Sequence, residues 1–483
     1  RALSVDRTAK TVLTRHVTTG REETLPYDKL CIATGARPRM PEVPGRDLDG
    51  VLSITRLEAA ERIRKACEHG EISEAVIVGG GFIGLEAAVA LADMWGVKTS
   101  VVEMLPHILS GALPANMSHM ARHDCQSRDV AVHTSEKVVR LEGENGRVAR
   151  VVTDKRTLPA QLVIFSAGFI PNSRLAAEAG LDCTPFGAIR VNERMQTSDP
   201  DIYAGGDCVS VPNLITGKPG YFPLGSMANR QGRVIGTNLA GLSASFPGAV
   251  GAWAVKLFTL SFCGTGLSVE KAGAEGFDAV SVGVEQLDRA HFYPEKDMMH
   301  LELTVERGTG RVLGAQGASV SPDAIKARID AISGVLQYAR PTVDEISNLE
   351  VAYAPPFASA MDIVNTVGNV ADNTLAGRCR GQDVPAFMDS WHKRKENNIF
   401  FADIRPAGGS AELAATYSGE WHAIPLEEME QRVGEFPRDR PVSLICNTGL
   451  RAYDAQLILA RHGIASVNAF GGMQAVLKSG LKP

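Results

Sequence analysis

The chain contains no Cys-x-x-Cys pair, no cysteine and histidine spacing of the zinc-site kind, and no uninterrupted apolar run long enough to span a bilayer. Its cysteines stand singly, at Cys31, Cys67, Cys125, Cys183, Cys208, Cys263, Cys379 and Cys446. Neither a disulfide framework nor a bound metal is therefore expected, and a reducing, cytoplasmic compartment suits this usage. The most lipid-like stretch, 248–267, is interrupted by Lys256 and by Gly, Ser and Thr; it reads as a linker entering a buried strand, not a membrane segment. An excess of one charge is also missing. Fifty Lys and Arg against 55 Asp and Glu leave a net charge of −5, too small and too evenly spread to point to nucleic acid or an anionic membrane as partner. No signal peptide is visible. The chain opens at Arg1 instead of a methionine and runs straight into strand-like sequence, so its natural start is expected upstream.

What is present is globular. Apolar residues make up 44% and charged residues 22%, the proportions of soluble globular proteins, and a length of 483 residues predicts three or four domains with several cores.

From Ala75 the sequence runs Ala-Val-Ile-Val into Gly79-Gly80-Gly81-Phe82-Ile83-Gly84 and an alanine-rich helix. This is G-x-G-x-x-G between a strand and a helix, the context in which it binds a dinucleotide. Gly79 permits the tight turn, Gly81 lets a pyrophosphate approach the backbone, and Gly84 lets helix pack on strand, with the phosphates at the helix amino terminus. The helix should end near Gly96. A second strand, 99–102, then brings Glu103 to its tip, where an acid accepts hydrogen bonds from the adenosine ribose. Met104 and Leu105 offer no cation for a 2′-phosphate, so NADH is expected in preference to NADPH. The alternative is a glycine-rich helix start with a solvated glutamate.

Two further strand-and-turn segments flank this unit: 30–38, which carries Thr34 and Gly35, and 164–172, which carries Gly168. Beyond them, residues 197–208 read as a turn, a short strand, a Gly205-Gly206 bend and a carboxylate, Asp207. In their order and approximate spacing these segments resemble the pyridine nucleotide-disulfide oxidoreductase family. The resemblance implies two Rossmann-like domains, FAD as cofactor beside NADH, and Asp207 on the ribityl chain of FAD; an ordinary Asx turn is the alternative for Asp207. The family opens with another glycine fingerprint, for the ADP half of FAD, followed by a redox cysteine. Neither is found here, and at least one βαβ unit is expected to be missing from the FAD domain. Cys31 is expected in a buried strand and is not nominated in place of that cysteine.

After Gly251 the pattern changes to short alternating strands, such as 299–305 and 311–316, followed by a helix over 323–338. This is similar to the family's α+β dimerisation domain and implies a homodimer. Within it, Tyr353-Ala354-Pro355-Pro356-Phe357 resembles a segment of coenzyme A-disulfide reductases, NADH oxidases and polysulfide reductases, as does the stretch 223–232. The resemblance places Tyr353 near the partner's flavin-facing cysteine, where it could protonate a leaving thiolate; a tyrosine packed in the interface is an equal reading. Arg340-Pro341-Thr342 has arginine where glutathione-reductase-like members carry the histidine of an acid–base element. That favours the single-cysteine branch, whose leaving group is a low-pKa thiol or a persulfide.

The polar stretch 389–398 is read as a solvated helix or boundary segment. A strand at 399–405 then ends in a D-x-R turn, and a strand at 440–445 runs into Cys446-Asn447-Thr448-Gly449-Leu450-Arg451. A helix follows, stopped at Gly463. A cysteine at a strand end, a loop bending back at Gly449 and a helix beginning near Arg451 would place sulfur over backbone N–H groups and a positive helix terminus, which stabilise a thiolate or persulfide. This six-residue loop resembles that of rhodaneses, and residues 470–473 resemble their closing turn; a buried structural cysteine is the alternative.

The expected organisation is an α/β chain with an FAD domain in two parts, 1–55 and 183–250, around a NAD domain, 56–182, then an α+β dimerisation domain, 251–378, and an α/β rhodanese domain, 383–483. The expected activity is NADH-driven reduction of a persulfide, polysulfide or coenzyme A disulfide, with coenzyme A a further candidate cofactor and Cys446 and Arg451 carrying sulfane sulfur. The rivals are an NADH oxidase or peroxidase with a sulfur-sensing rhodanese domain, and a non-enzymatic sulfur-binding dimer.

Overall fold

A computed structural model describes residues 1–483. The β-branched run of Glu74–Val78 pairs in parallel with Lys98–Val102, which pairs in turn with Ala131–His133, as expected of short apolar strands separated by helical crossovers. These strands belong to a larger compact unit formed by residues 44–50, 66–163 and 252–483. The smaller unit comprises 1–43, 51–65 and 164–251.

In the smaller unit, Leu30–Ile32 pairs in parallel with Ile202–Ala204, and Ala36–Pro38 pairs antiparallel with Phe169–Pro171. Its core gathers Ile32, Ile189, Met195, Ile202, Cys208 and Ile235. Leu30–Ile32 differs from the expected buried strand: only Ile32 is buried, while Cys31 is exposed. The strand has a single ladder neighbour in its sheet, so alternate side chains are left facing outward.

In the larger unit an antiparallel sheet runs in the order Trp253–Lys256, Ser261–Gly266, Val312–Ser319, Met298–Glu306, Ala279–Leu287. Its inner strands are longer than expected, nine residues at Met298–Glu306 and eight at Val312–Ser319. Their alternation does not mean one wet face: His300, Glu302 and Thr304, the polar set of strand Met298–Glu306, are all buried. That face is covered by neighbouring elements that bring their own polar partners. Lys478, at the end of helix Gly472–Lys478, donates to Glu285 at 2.5 Å, and Asn116, from helix Ala115–Gln126, donates to Glu302 at 2.6 Å. Helix Pro322–Tyr338 packs on the strands Ser261–Gly266 and Val312–Ser319.

The last sheet of this unit is fully parallel, in the order Gly381–Gln382, Ser466–Ala469, Val442–Ile445, Phe400–Asp403, Trp421–Ala423. The stretch expected to be a solvated helix belongs partly to its core. Helix Val384–His392 buries Val384, Phe387, Met388 and Trp391, and Trp391 packs edge-on against Trp421 and Phe401 at 4.9 and 5.1 Å between centroids. The polar residues responsible for the solvated reading lie on its outer face and beyond its end. The D-x-R turn closes as a fork: Arg405 Nε and Nη2 donate to the two oxygens of buried Asp403 at 3.0 and 2.6 Å, and Trp421 Nε1 donates to the same carboxylate at 3.1 Å. No helix is long and apolar enough to cross a membrane.

Candidate functional site

The glycine turn after Glu74–Val78 has Gly79 at φ +113°, a conformation only glycine adopts readily. Gly81 caps helix Phe82–Val89 from extended backbone, and a Cβ there would meet nothing within 4 Å, leaving the helix amino terminus open to a ligand. Gly84 is buried in the helix. Five residues of π-helix, Ala90–Met94, carry the turn on to Gly96, whose positive φ ends it. Glu103 leans back over this turn. One carboxylate oxygen accepts the Gly80 N–H at 2.7 Å and the other accepts the Leu105 N–H at 2.8 Å, fixing the acid at the mouth of the glycine loop.

In the smaller unit Thr34 and Gly35 meet at Asn172, whose amide N–H donates to Gly35 O at 2.9 Å while its Nδ2 donates to Thr34 O at 3.0 Å. Gly35 and Gly168 both have positive φ, and Gly168 O accepts the Arg39 N–H at 2.8 Å. Asp207 follows the Gly205-Gly206 bend, where Gln231 Oε1 accepts the Gly206 N–H at 2.7 Å and Tyr221 Oη donates to Asp207 O at 3.0 Å. The Asp207 carboxylate itself is half-buried, and burial pushes its pKa up. Gln231 lies in the sequence segment 223–232, but its contact with the bend follows only from the packing of helix Gly225–Leu239.

Tyr353 is exposed, at 53% of its surface, in an irregular segment where Phe357 and Met361 are exposed as well. Thr342, in the Arg-Pro-Thr stretch, forms a capping box with Glu345.

Cys446 ends strand Val442–Ile445, and helix Leu450–Arg461 begins four residues later. Gly449, at φ +99°, turns the chain back so that its N–H donates to Cys446 Sγ at 3.1 Å. The loop is held from below: the Met473 N–H donates to Cys446 O at 2.9 Å and the Gln474 N–H to Asn447 O at 3.0 Å. Gly472 is required there, since a Cβ would lie 2.4 Å from Cys446 O. Cys446 is 1% exposed. Arg451 occupies the first helical turn but pairs with Glu427 at 3.3 Å and does not reach the sulfur.

Residues 1–232 match the family model for pyridine nucleotide-disulphide oxidoreductases, and residues 253–364 match that family's dimerisation domain. An NADH oxidase of Methanocaldococcus jannaschii is 35% identical over 74% of this chain and 79% of that protein.

The chain belongs to the pyridine nucleotide-disulphide oxidoreductase family.

Its cofactors are FAD and NAD(P)H. Among solved members of the family, an FAD-dependent oxidoreductase from Desulfovibrio vulgaris is 57% identical, with a TM-score of 0.70 over 78% of this chain and 89% of that one. An NAD-dependent persulfide reductase from A. fulgidus is 37% identical, with a TM-score of 0.90 over 98% of this chain and 84% of that one. The residues present fit both cofactors. Asp207 keeps an unshared carboxylate for a hydroxylated chain, and Glu103 stands beside an open helix amino terminus with no cation on the adjacent Met104 or Leu105.

Sequence reasoning missed a buried charge cluster in this oxidoreductase. His300 donates through Nδ1 toward Glu285 at 3.1 Å and through Nε2 toward Glu302 at 3.0 Å, and Ser281 donates to Glu302 at 3.0 Å. Burial draws the His300 pKa down, but the two carboxylates outweigh it and push it up to about 9. Despite its own burial, Glu302 is held below the usual carboxylate range by His300, Asn116 and Ser281. The available signal was three ionisable residues, Glu285, His300 and Glu302, on two neighbouring strands; nothing local said that they would be covered.

Proposed function

We propose that the protein is an NADH-dependent reductase of a persulfide, polysulfide or coenzyme A-linked disulfide, and that residues 383–483 form a rhodanese-type domain carrying sulfane sulfur on Cys446. The observation that carries this reading is the Cys446 loop, with a backbone N–H aimed at Sγ at 3.1 Å where a 12-residue helix begins. Such a setting offers a carried sulfur a backbone donor at a helix start. It lies on the same chain as a complete nucleotide fingerprint, and the structural similarity to the persulfide reductase runs over 98% of the chain.

In this reading residues 56–182 bind NADH, with the pyrophosphate at the amino terminus of Phe82–Val89 near Gly79, Gly81 and Gly84, and Glu103 accepting from the ribose hydroxyls. Residues 1–55 and 183–250 hold FAD, with Thr34, Gly35 and Gly168 shaping the turns beside it and Asp207 accepting from its ribityl chain. Bound FAD supplies two-electron transfer between nicotinamide and sulfur. Residues 251–378 form the interface of a homodimer, a role suited to the exposed Tyr353, Phe357 and Met361, and Tyr353 protonates the leaving thiolate. Arg451 acts indirectly, anchoring the first helical turn through Glu427. Eight free cysteines suit a reducing, cytoplasmic setting.

The test is sulfur transfer from a persulfide to a thiol by the protein and by Cys446→Ser, alongside NADH consumption with oxygen as the only acceptor. The proposal expects transfer to vanish in Cys446→Ser and NADH oxidation to require a sulfur substrate. Undiminished transfer in the variant refutes the sulfur-carrying role, and rapid oxygen consumption without sulfur favours the NADH oxidase reading.

A further inference from the structure

The segment that presents Tyr353 has no regular structure, yet its backbone is tied at several points. The Phe357 and Ala358 N–H groups both donate to Ala354 O, at 2.9 and 3.1 Å, closing a turn directly after Tyr353. From outside the segment, the Ala290 N–H donates to Pro355 O at 3.0 Å and Gln286 Nε2 donates to Met361 O at 2.7 Å. Arg328, from helix Pro322–Tyr338, adds the most connected tie. Its Nη2 donates to Phe357 O at 2.9 Å and to Asp362 Oδ2 at 2.8 Å, while Nε donates to the same carboxylate oxygen at 3.1 Å. Nη1 donates to Ala324 O of its own helix at 3.2 Å. Asp362 is 4% exposed and caps helix Ile363–Leu375 by accepting the Val364 N–H at 3.0 Å. One guanidinium thus joins two helices and the turn beside Tyr353.

Surface segments without regular structure are ordinarily mobile. Here the ties hold side chains that add little to the core: Tyr353 and Phe357 are 53% and 72% exposed, and of residues 354–358 only Ala358 is buried. A backbone fixed in advance presents an exposed group in one place, with no ordering cost at the moment of encounter.

We infer that Arg328 is a positioning residue for Tyr353: its guanidinium holds the 354–358 turn so that the phenol meets a basic leaving thiolate in one geometry. The inference rests on the reading of Tyr353 as the proton donor. In that step the S–S bond of the substrate breaks and R–S⁻ departs with the electron pair. The Tyr353 hydroxyl gives it a proton, forming R–SH, and the tyrosinate regains a proton from water; both electrons of the reduction originate in NADH. An alkyl thiolate is basic and needs this proton, whereas an aryl thiolate of low pKa leaves unaided. Lysine at position 328 keeps a cation beside Asp362 but lacks the planar fork that spans Asp362 and Phe357 O together.

The probes are coenzyme A disulfide, which releases an alkyl thiolate, and the mixed disulfide of coenzyme A with 4-nitrothiophenol, which releases an aryl thiolate. Both are reduced with NADH by the FAD-loaded protein. Tyr353→Phe is expected to lower kcat about 100-fold for the first and less than about twofold for the second, the signature of a lost general acid. Arg328→Lys is expected to show the same selectivity at about 10-fold, and adding it to Tyr353→Phe is expected to cost nothing further. Amide hydrogen exchange at Phe357 and Ala358 is expected to accelerate about 10-fold in Arg328→Lys. Gln286→Met, which cuts the tie at Met361 O, is expected to act in the same direction and serves as the test if Arg328→Lys does not fold. Unchanged exchange, equal losses with both disulfides, or additive losses in the double variant overturn the positioning role and leave Tyr353 as the donor. A Tyr353→Phe variant as fast as the wild type on both disulfides overturns the underlying reading instead.

Discussion

Replacing His300 with Gln removes the one cation placed between two buried carboxylates. The imidazole is fully buried and raised to about 9 from an ordinary value of 6.5, so its protonated form is favoured in the folded state by about 3 kcal/mol at ~1.36 kcal/mol per pKa unit. The sign follows from the direction of the shift. A group whose folded pKa is raised contributes its full stabilisation below the unfolded value and loses it as pH rises through the folded one. The wild-type protein should therefore lose about 3 kcal/mol of stability between pH ~6.5 and pH ~9. At pH 6 His300→Gln should be destabilised by about 3 kcal/mol, the lower end for a broken buried pair, because Glu285 keeps Lys478, and Glu302 keeps Asn116 and Ser281. The assay is urea unfolding of both proteins across this pH window, followed by tryptophan fluorescence from the buried Trp391 and Trp421. A pH dependence of equal slope in the variant, or a wild-type midpoint that does not move between pH 6.5 and 9, would refute the reasoning.

Glu103→Ala should weaken NADH binding by roughly 1.5–3 kcal/mol while affecting NADPH less, and isothermal titration with both nucleotides checks the difference; equal losses would contradict a contact with the ribose 2′-hydroxyl. Asp207→Ala should lose FAD on dialysis because the unshared carboxylate contributes a charge-assisted bond of about 1.5–3 kcal/mol; stoichiometric retention in absorbance spectra would place the flavin contact elsewhere. Gly472→Ala should disrupt the Cys446 loop, since the residue has φ +57° and its Cβ would lie 2.4 Å from Cys446 O. Sulfur transfer should fall at least tenfold while NADH affinity stays constant, and unaltered transfer would show that the loop tolerates the shift.

The sequence alone determined the local strand-turn-helix units. Gly79, Gly81 and Gly84 with Glu103, and Cys446 with Gly449, are legible because each motif is short-range: a glycine conformation, a helix start and an acid at a strand end are set by neighbours along the chain. The Gly35 and Gly168 turns and the Gly205-Gly206 bend before Asp207 were readable on the same grounds. Tertiary structure decided which faces water reaches. Period-two alternation at 299–305 shows that His300, Glu302 and Thr304 share a face, but not that helices from distant segments cover it with Lys478 and Asn116. Cys31 is exposed because its strand has one ladder neighbour, and Trp391 is buried because aromatics from Phe401 and Trp421 close around it. Burial and charge pairing are properties of surfaces brought together from far along the chain, and no local pattern encodes the partner that will desolvate a polar face.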